Sequence, residues 1–434
     1  MKSRLMLLGL SLLLFLPMLS VAQIDPGFSP IPASFNIDSP NPLYALDVAY
    51  DDIDPDRQAF HLFLPDDTET YPLVIFIHGG GFTGGTRDVV LSDPNRLADI
   101  EFFLEQGIAY ASIGYRLLET NGPDEEGVIK CLNDSKRALQ FIRYYAEDLN
   151  IDPTRIVLSG TSAGAGTSLW LGTRSDMADP NAQDPILQTS TRVCAVALNG
   201  SQSTYDLHKW ETEVYNDFDG QGTNFTADSM INVLGFERFS NFYGGLSSVD
   251  QILSDPTLIQ YREDVDMLFH MSEDDPPIHF RNASGAVHPS QDLFHHSLHG
   301  VVIYENALAA GISEVKADIP VQAINTTDGE SRNDFLVRHL NACMLPSSIN
   351  NPVVSEQIDV YPNPTRGEVM IQVNEGSKIS SLSLFTLSGQ LVLEEWKVNS
   401  NRRILRLDQV DSGMYLLRVV SENGGILNQK LIVQ

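Results

Sequence analysis

The sequence predicts an α/β protein with a mostly parallel sheet, followed by a small all-β sandwich. Three observations carry the prediction. From Leu46 to Asn199, short apolar runs alternate with helical patterns, as in a parallel sheet covered by helices. Arg155–Leu171 (RIVLSGTSAGAGTSLWL) passes from an apolar run, through Gly160-Thr161-Ser162-Ala163-Gly164, into a stretch of small and apolar residues that reads as a helix. After residue 357 the helical period disappears and short alternating runs replace it.

In chain order, Met1–Ala22 carries Lys2 and Arg4, an apolar run Leu5–Leu19, and Ser20-Val21-Ala22. This is the pattern of a secretory signal peptide cut after Ala22, and no other transmembrane segment is expected. Gln23–Ala45 reads as an extended entry. Leu46–Tyr50 and Ala59–Leu64 read as strands, and Tyr71–Ile77 as a strand apolar enough to be covered on both faces. It feeds into His78-Gly79-Gly80-Gly81-Phe82. A helix over Asn95–Gln106, a strand over Ile108–Ile113 and an amphipathic helix over Ile129–Leu149 follow. Val193–Asn199 is the next strand.

Ser203–Tyr261 breaks the alternation and is dense in aromatics. It is expected to be a cap-like insertion whose rings either line a pocket or form a small core of their own. Later core strands are expected at Ile278–Arg281 and near Glu314–Pro320. Met344–Gln357 reads as a linker. The terminal domain is expected to hold strands at Val369–Val373, Leu382–Leu387, Arg403–Leu407, Gly413–Val419 and Gly425–Val433. The expected organisation is therefore 1–22 signal peptide, 23–343 main domain with the 203–261 insertion, 344–357 linker and 358–434 terminal domain.

The formal net charge of −29, from 57 acidic and 28 basic residues, argues against nucleic acid, anionic membrane surfaces and polyanionic substrates. The three cysteines, Cys131, Cys194 and Cys343, are an odd count and outline no disulfide framework. Cys131 and Cys194 are expected as buried thiols.

Gly160–Gly164 is the G-x-S-x-G pattern in its strand–turn–helix context, which presents a serine hydroxyl clear of the backbone. Ser162 is the candidate nucleophile. Small residues are needed on either side because strand and helix nearly touch. The N–H groups of Gly80, Gly81 and Ala163 are the candidate oxyanion hole, and His78 is expected to order that loop.

These blocks support two resemblances. Gln23 to about Asn341 resembles secreted α/β-hydrolase carboxylesterases of the feruloyl-esterase-like group. The residues that carry it are His78–Phe82, Gly114-Tyr115-Arg116-Leu117, Asn150–Ile156 and Gly160–Gly164. Ile358–Gln434 resembles the C-terminal sorting domain of type IX secretion cargo in Bacteroidetes. Its marks are Tyr361–Gly367, Leu387–Gln390, Ser412–Tyr415 and Lys430–Val433. The second resemblance implies export across the outer membrane, usual removal of the tail, and a product released or held at the cell surface.

A serine of this kind needs a base and an orienting carboxylate. The resemblance places the acid after the penultimate core strand and the histidine after the last one. Asp292 is the expected acid, with Asp275 as the alternative. The loop Ile324–Glu330 contains no histidine, so His339 is put forward as the base. His288, His295, His296 and His299, beside Asp292, remain open as non-standard suppliers. The expected activity is hydrolysis of acyl or aryl esters through an acyl-enzyme, with plant polysaccharide as a possible carrier by resemblance alone. The alternative is a catalytically impaired hydrolase fold that binds carbohydrate or a surface partner. No metal or organic cofactor is expected. The expected partners are an ester substrate and the type IX machinery.

Overall fold

The computed structural model describes residues 23–32, 35, 37, 41–343, 359–373, 378–386, 391–407, 410, 412–421 and 426–433. The expected signal peptide, the linker and Leu387–Gln390 lie outside them. The chain divides into two compact units, Met1–Ile349 and Asn350–Gln434.

The first unit is built on one ten-stranded sheet. Its strands are β1 Ser29–Pro30, β2 Leu43–Ala49, β3 Ala59–Leu64, β4 Tyr71–Ile77, β5 Ala109–Ile113, β6 Ile151–Thr161, β7 Val196–Asn199, β8 Ile278–Arg281, β9 Val315–Ile319 and β10 Ile324–Asn325. Their spatial order is β1-β2-β3-β5-β4-β6-β7-β8-β9-β10. From β5 across to β9 every pairing is parallel, and the pairings nearer the two edges are antiparallel. With helices on both faces, this is the α/β-hydrolase architecture.

Strand β4 shows why the centre is apolar throughout. Leu73, Ile75 and Ile77 enter the core on one face, while Val74 and Phe76 enter the core on the other. The first of these cores is covered by α2 (Val128–Tyr144) and α3 (Ala163–Thr173). The second is covered by α1 (Pro94–Glu105) and by a terminal helix, Arg332–Ala342.

Helix α2 ends five residues before its predicted end. The chain makes one more turn and reverses at Asn150, which has φ of 54°, so that Leu149 still reaches the core.

The insertion and the stretch that follows it form short helices at Leu207–Lys209, Ala227–Leu234, Phe236–Phe242, Gln251–Ser254, Pro256–Asp264 and Met267–His270. The insertion's rings make no separate core. Trp210, Tyr215, Phe225, Phe239, Phe242 and Tyr243 join the main one.

The cysteine expectation is corrected. Cys194, just before β7, is bonded to Cys343 at the end of the terminal helix, 149 residues away. Only Cys131 is a buried free thiol. An odd count hides one bridge and one leftover. The bridge suits an oxidising compartment.

The second unit has two antiparallel sheets. One is β11 (Asp359–Tyr361), β12 (Glu368–Gln372) and β15 (Arg402–Arg406). The other is β14 (Leu391–Ser400), β13 (Ile379–Thr386), β16 (Gly413–Ser421) and β17 (Ile426–Val433). Val369, Ile371 and Leu405 from the first share one core with Leu382, Leu417 and Leu431 from the second. Strand β14 was not predicted, because Glu394-Glu395 interrupts its apolar pattern. Within the Tyr361–Gly367 motif, the Thr365 N–H bonds the Ile432 carbonyl at 2.8 Å, and Asn363 accepts the Ile432 N–H at 3.0 Å. The motif thus stitches the first strand of the unit to the last.

Candidate active site

Ser162 stands between the end of β6 and the start of α3, with φ of 56° and ψ of −122°. A non-glycine residue in that region is strained. The surrounding packing holds it there. The Ser162 N–H bonds the Asn199 carbonyl at the end of β7 (2.9 Å). A Cβ on Gly160 would fall on the Gly164 carbonyl, and one on Gly164 would fall on the Ile77 carbonyl at the end of β4. The two glycines are therefore required by close backbone approach. Tyr205 donates to the Ala163 carbonyl at 2.6 Å and fixes the first turn of α3.

The glycine loop follows β4 directly. Gly80 and Gly81 have φ of 118° and 58°, conformations that side chains disfavour. Their N–H groups bond no described residue. Ala163 opens α3, where first-turn N–H groups have no intrahelical partner. A Cβ on Gly79 would approach Ser162 Cβ at 3.1 Å, so the loop lies against Ser162. His78 bonds the Gly79 carbonyl through Nδ1 (2.7 Å) and stacks on Tyr115 at 4.3 Å. Tyr115 donates to the His78 carbonyl (2.8 Å). Burial pushes the His78 pKa down to about 4, so it orders the loop as a neutral ring.

The imidazole beside the serine belongs to His295. Its Nε2 is 2.8 Å from Ser162 Oγ, and its Nδ1 is 3.0 Å from Asp292 Oδ1. Asp292 also accepts the His295 N–H (3.2 Å) and the Ser284 hydroxyl (2.7 Å). Partial burial opposes its ionisation. The Ser284 hydroxyl and His295 outweigh that, and the carboxyl pKa is lowered. An ionised Asp292 keeps the proton on Nδ1 and leaves Nε2 free to accept from Ser162.

Asp292 and His295 thus sit three residues apart in the loop after β8. Side chains from elsewhere clamp that loop. Tyr215, from the insertion, donates to the Leu293 carbonyl at 2.6 Å, and Gln202 donates to the Phe294 carbonyl at 2.8 Å. His299 Nδ1 accepts the Ser203 N–H (3.3 Å), so Nε2 carries the proton and faces the Leu293 carbonyl at 3.2 Å. His299 is fully buried, and its pKa is pushed down to about 3. It lies in the helix Ser297–Ala310, capped by His296 through Nδ1 and the Leu298 N–H. His288 caps the short turn Pro289–Gln291.

The other sequence candidates lie elsewhere. His339 bonds Glu314, just before β9, at 3.1 Å and packs on Phe335. That is the N-terminal end of the parallel strands, whereas Ser162 follows the C-terminal end of β6. Asp275 also precedes its strand, β8. It accepts from the Ser272 N–H and hydroxyl at 2.8 and 3.1 Å. The loop expected to carry the base, Ile324–Glu330, begins by pairing back on β9 through Ile324–Asn325, which form β10. His295 was named in the sequence only within a group of four. The signal available was its spacing from Asp292.

A narrow cavity of about 10 Å³ lies beside Ser162. Gly81, Phe82, Ala163, Gln202, Tyr205, Trp210, Phe242 and Phe294 line it.

Residues 60–242 match the family profile described as BD-FAE. Residues 359–434 match that of a secretion system C-terminal sorting domain. Fold and matches together define the class: an α/β-hydrolase-fold unit similar to BD-FAE over residues 60–242, followed by a tail similar to a secretion system C-terminal sorting domain. Such a domain implies export by the type IX system to the cell surface or extracellular space. Among the described residues no helix is long and apolar enough to cross a membrane.

Acetylcholinesterase of Gallus gallus is 37% identical over 100 residues, 22% of this chain and 12% of that protein. Quorum-quenching protein AidA of Acinetobacter baumannii is 34% identical over 129 residues, 29% of this chain and 38% of that protein. The chain spans well under half the length of these relatives. Among solved structures, the acetyl ester-xyloside bifunctional hydrolase from Caldicellulosiruptor lactoaceticus has 20% identity and a TM-score of 0.42, covering 65% of this chain and 88% of that one. Esterase B from Lactobacillus rhamnosis has 17% identity and a TM-score of 0.43, covering 66% and 78%.

Proposed function

We propose that the first unit is a serine carboxylic-ester hydrolase, with Ser162 as nucleophile, His295 as base and Asp292 as the residue that orients the base. The single observation that carries this reading is the hydrogen-bonded chain Ser162–His295–Asp292, set against a glycine loop with unpaired N–H groups. His295 takes the Ser162 proton as Oγ attacks the ester carbonyl. Gly80, Gly81 and Ala163 N–H groups receive the oxyanion. His295 then returns the proton to the departing alcohol, leaving an acyl-enzyme that water cleaves by the same route.

The binding-module alternative rested on the want of a histidine. An imidazole 2.8 Å from the serine favours the enzyme. The cavity beside Ser162 is the natural place for the acyl group, and acetyl, the smallest acyl group, needs the least rearrangement of its lining. The polysaccharide carrier is carried over from the resemblance alone.

Turnover of 4-nitrophenyl acetate by the full chain and by Ser162→Ala tests the reading. Activity should vanish in the variant and fall as the acyl chain lengthens. Equal background rates in both proteins would refute it.

A further inference from the structure

Several cations of this acid-rich chain are held in ion pairs. Arg116 holds Asp134, Arg262 holds Asp206, and Lys130 holds Asp124. Arg238 is different. It comes from the insertion helix Phe236–Phe242 and makes no hydrogen bond or ion pair with any described residue. Its Nε is buried without a partner. The guanidinium lies 4.9 Å over the Phe294 ring, and Nη2 comes within 2.7 Å of where a Cβ on Gly81 would stand. Gly81 and Phe294 both line the cavity beside Ser162, and Arg238 does not. The charge therefore stands just outside the cavity, against the glycine loop.

A partly buried guanidinium without a counter-charge is costly to the folded protein. A substrate anion would supply the missing partner, and the planar fork of arginine suits a carboxylate. We propose that Arg238 binds a carboxylate on the part of the substrate outside the cavity, which makes the preferred substrates short-chain esters of acidic, uronate-type sugars. The proposal rests on the esterase reading above. The net charge of −29 is no obstacle to a single carboxylate. At physiological salt, charges beyond about 8 Å are largely screened, and Arg238 is the near one.

The test compares an acetylated methyl glucuronoside with the matching acetylated methyl glucoside, which carries a hydroxymethyl group in place of the carboxylate. In the full chain carrying Ser162→Ala, calorimetry should show the glucuronoside binding about 10-fold tighter. Adding Arg238→Gln should abolish that preference, and Arg238→Lys should keep part of it. In the active chain, the glucuronoside-to-glucoside ratio of kcat/KM should fall about 10-fold in Arg238→Gln. Equal or undetectable binding of the two sugars overturns the proposal, as does a preference that survives Arg238→Gln. A binding preference without turnover of either ester would instead sink the esterase reading and leave the Arg238 site standing.

Discussion

The two halves of the candidate site are built by different means. The serine and its oxyanion loop are held by backbone against backbone. At Gly79, Gly160 and Gly164 a Cβ would strike main-chain or nucleophile atoms, so only glycine serves and the pattern is written into the sequence. The proposed acid and base, Asp292 and His295, lie in a loop held by side chains from three other places, Gln202, Tyr215 and His299. An imidazole needs only to reach the serine. It can arrive from any loop that is clamped at the right distance, and no local pattern announces which one.

Exchanging the rival bases is the sharpest way to break that comparison. Ser162→Ala and His295→Ala should each lower kcat on the order of 10⁶-fold, and Asp292→Ala on the order of 10⁴-fold. His339→Ala should leave ester turnover unchanged, since His339 serves Glu314 at the opposite end of the strands. Activity lost in His339→Ala and kept in His295→Ala would reverse the assignment.

The backbone-built half is tested by Gly160→Ala. The added methyl collides with the Gly164 carbonyl, so strand and helix must part. The expected result is a loss of about 1–3 kcal/mol in stability, seen in a thermal melt, together with loss of activity. A variant that melted and turned over like the parent would show that close approach does not dictate the motif.

The clamped half is tested by Tyr215→Phe, which removes one hydroxyl from the Leu293 carbonyl and leaves its ring in the core. Misplacement of a catalytic group by about 1 Å can cost 10²-fold. With His299 still facing that carbonyl, kcat should fall about 10-fold while KM holds. An unchanged kcat would mean that the loop holds its own shape.

Most of the fold was legible because, like the elbow, its strands are marked by local sequence, here by burial. Strands β3 and β4 fall where their apolar runs place them, because a strand buried on both faces tolerates little else. What escaped notice depended on distant partners. The Cys194–Cys343 bridge spans 149 residues, and a count of three cysteines conceals it. The insertion's rings were read as either a pocket lining or a separate core. Trp210 and Phe242 belong to the main core and also line the cavity.

The smallest expected effect separates the two acid candidates. Asp275 is almost fully buried, and burial raises its pKa from 3.8 to about 6 despite two bonds from Ser272. Its folded value lies above its unfolded one, so the native state favours the neutral acid. That stabilising contribution is fully present below about pH 4 and is lost as pH rises through about 6. Asp275→Asn stays neutral at every pH. The stability difference between variant and parent should therefore move in the variant's favour by about 2 kcal/mol between pH 4 and pH 8. Ester turnover should not change. Asp292→Asn should do the reverse, removing most activity, because the amide no longer holds the proton on His295 Nδ1. A pH-independent stability difference in Asp275→Asn, or an activity loss like that of Asp292→Asn, would return the acid's role to the turn before β8.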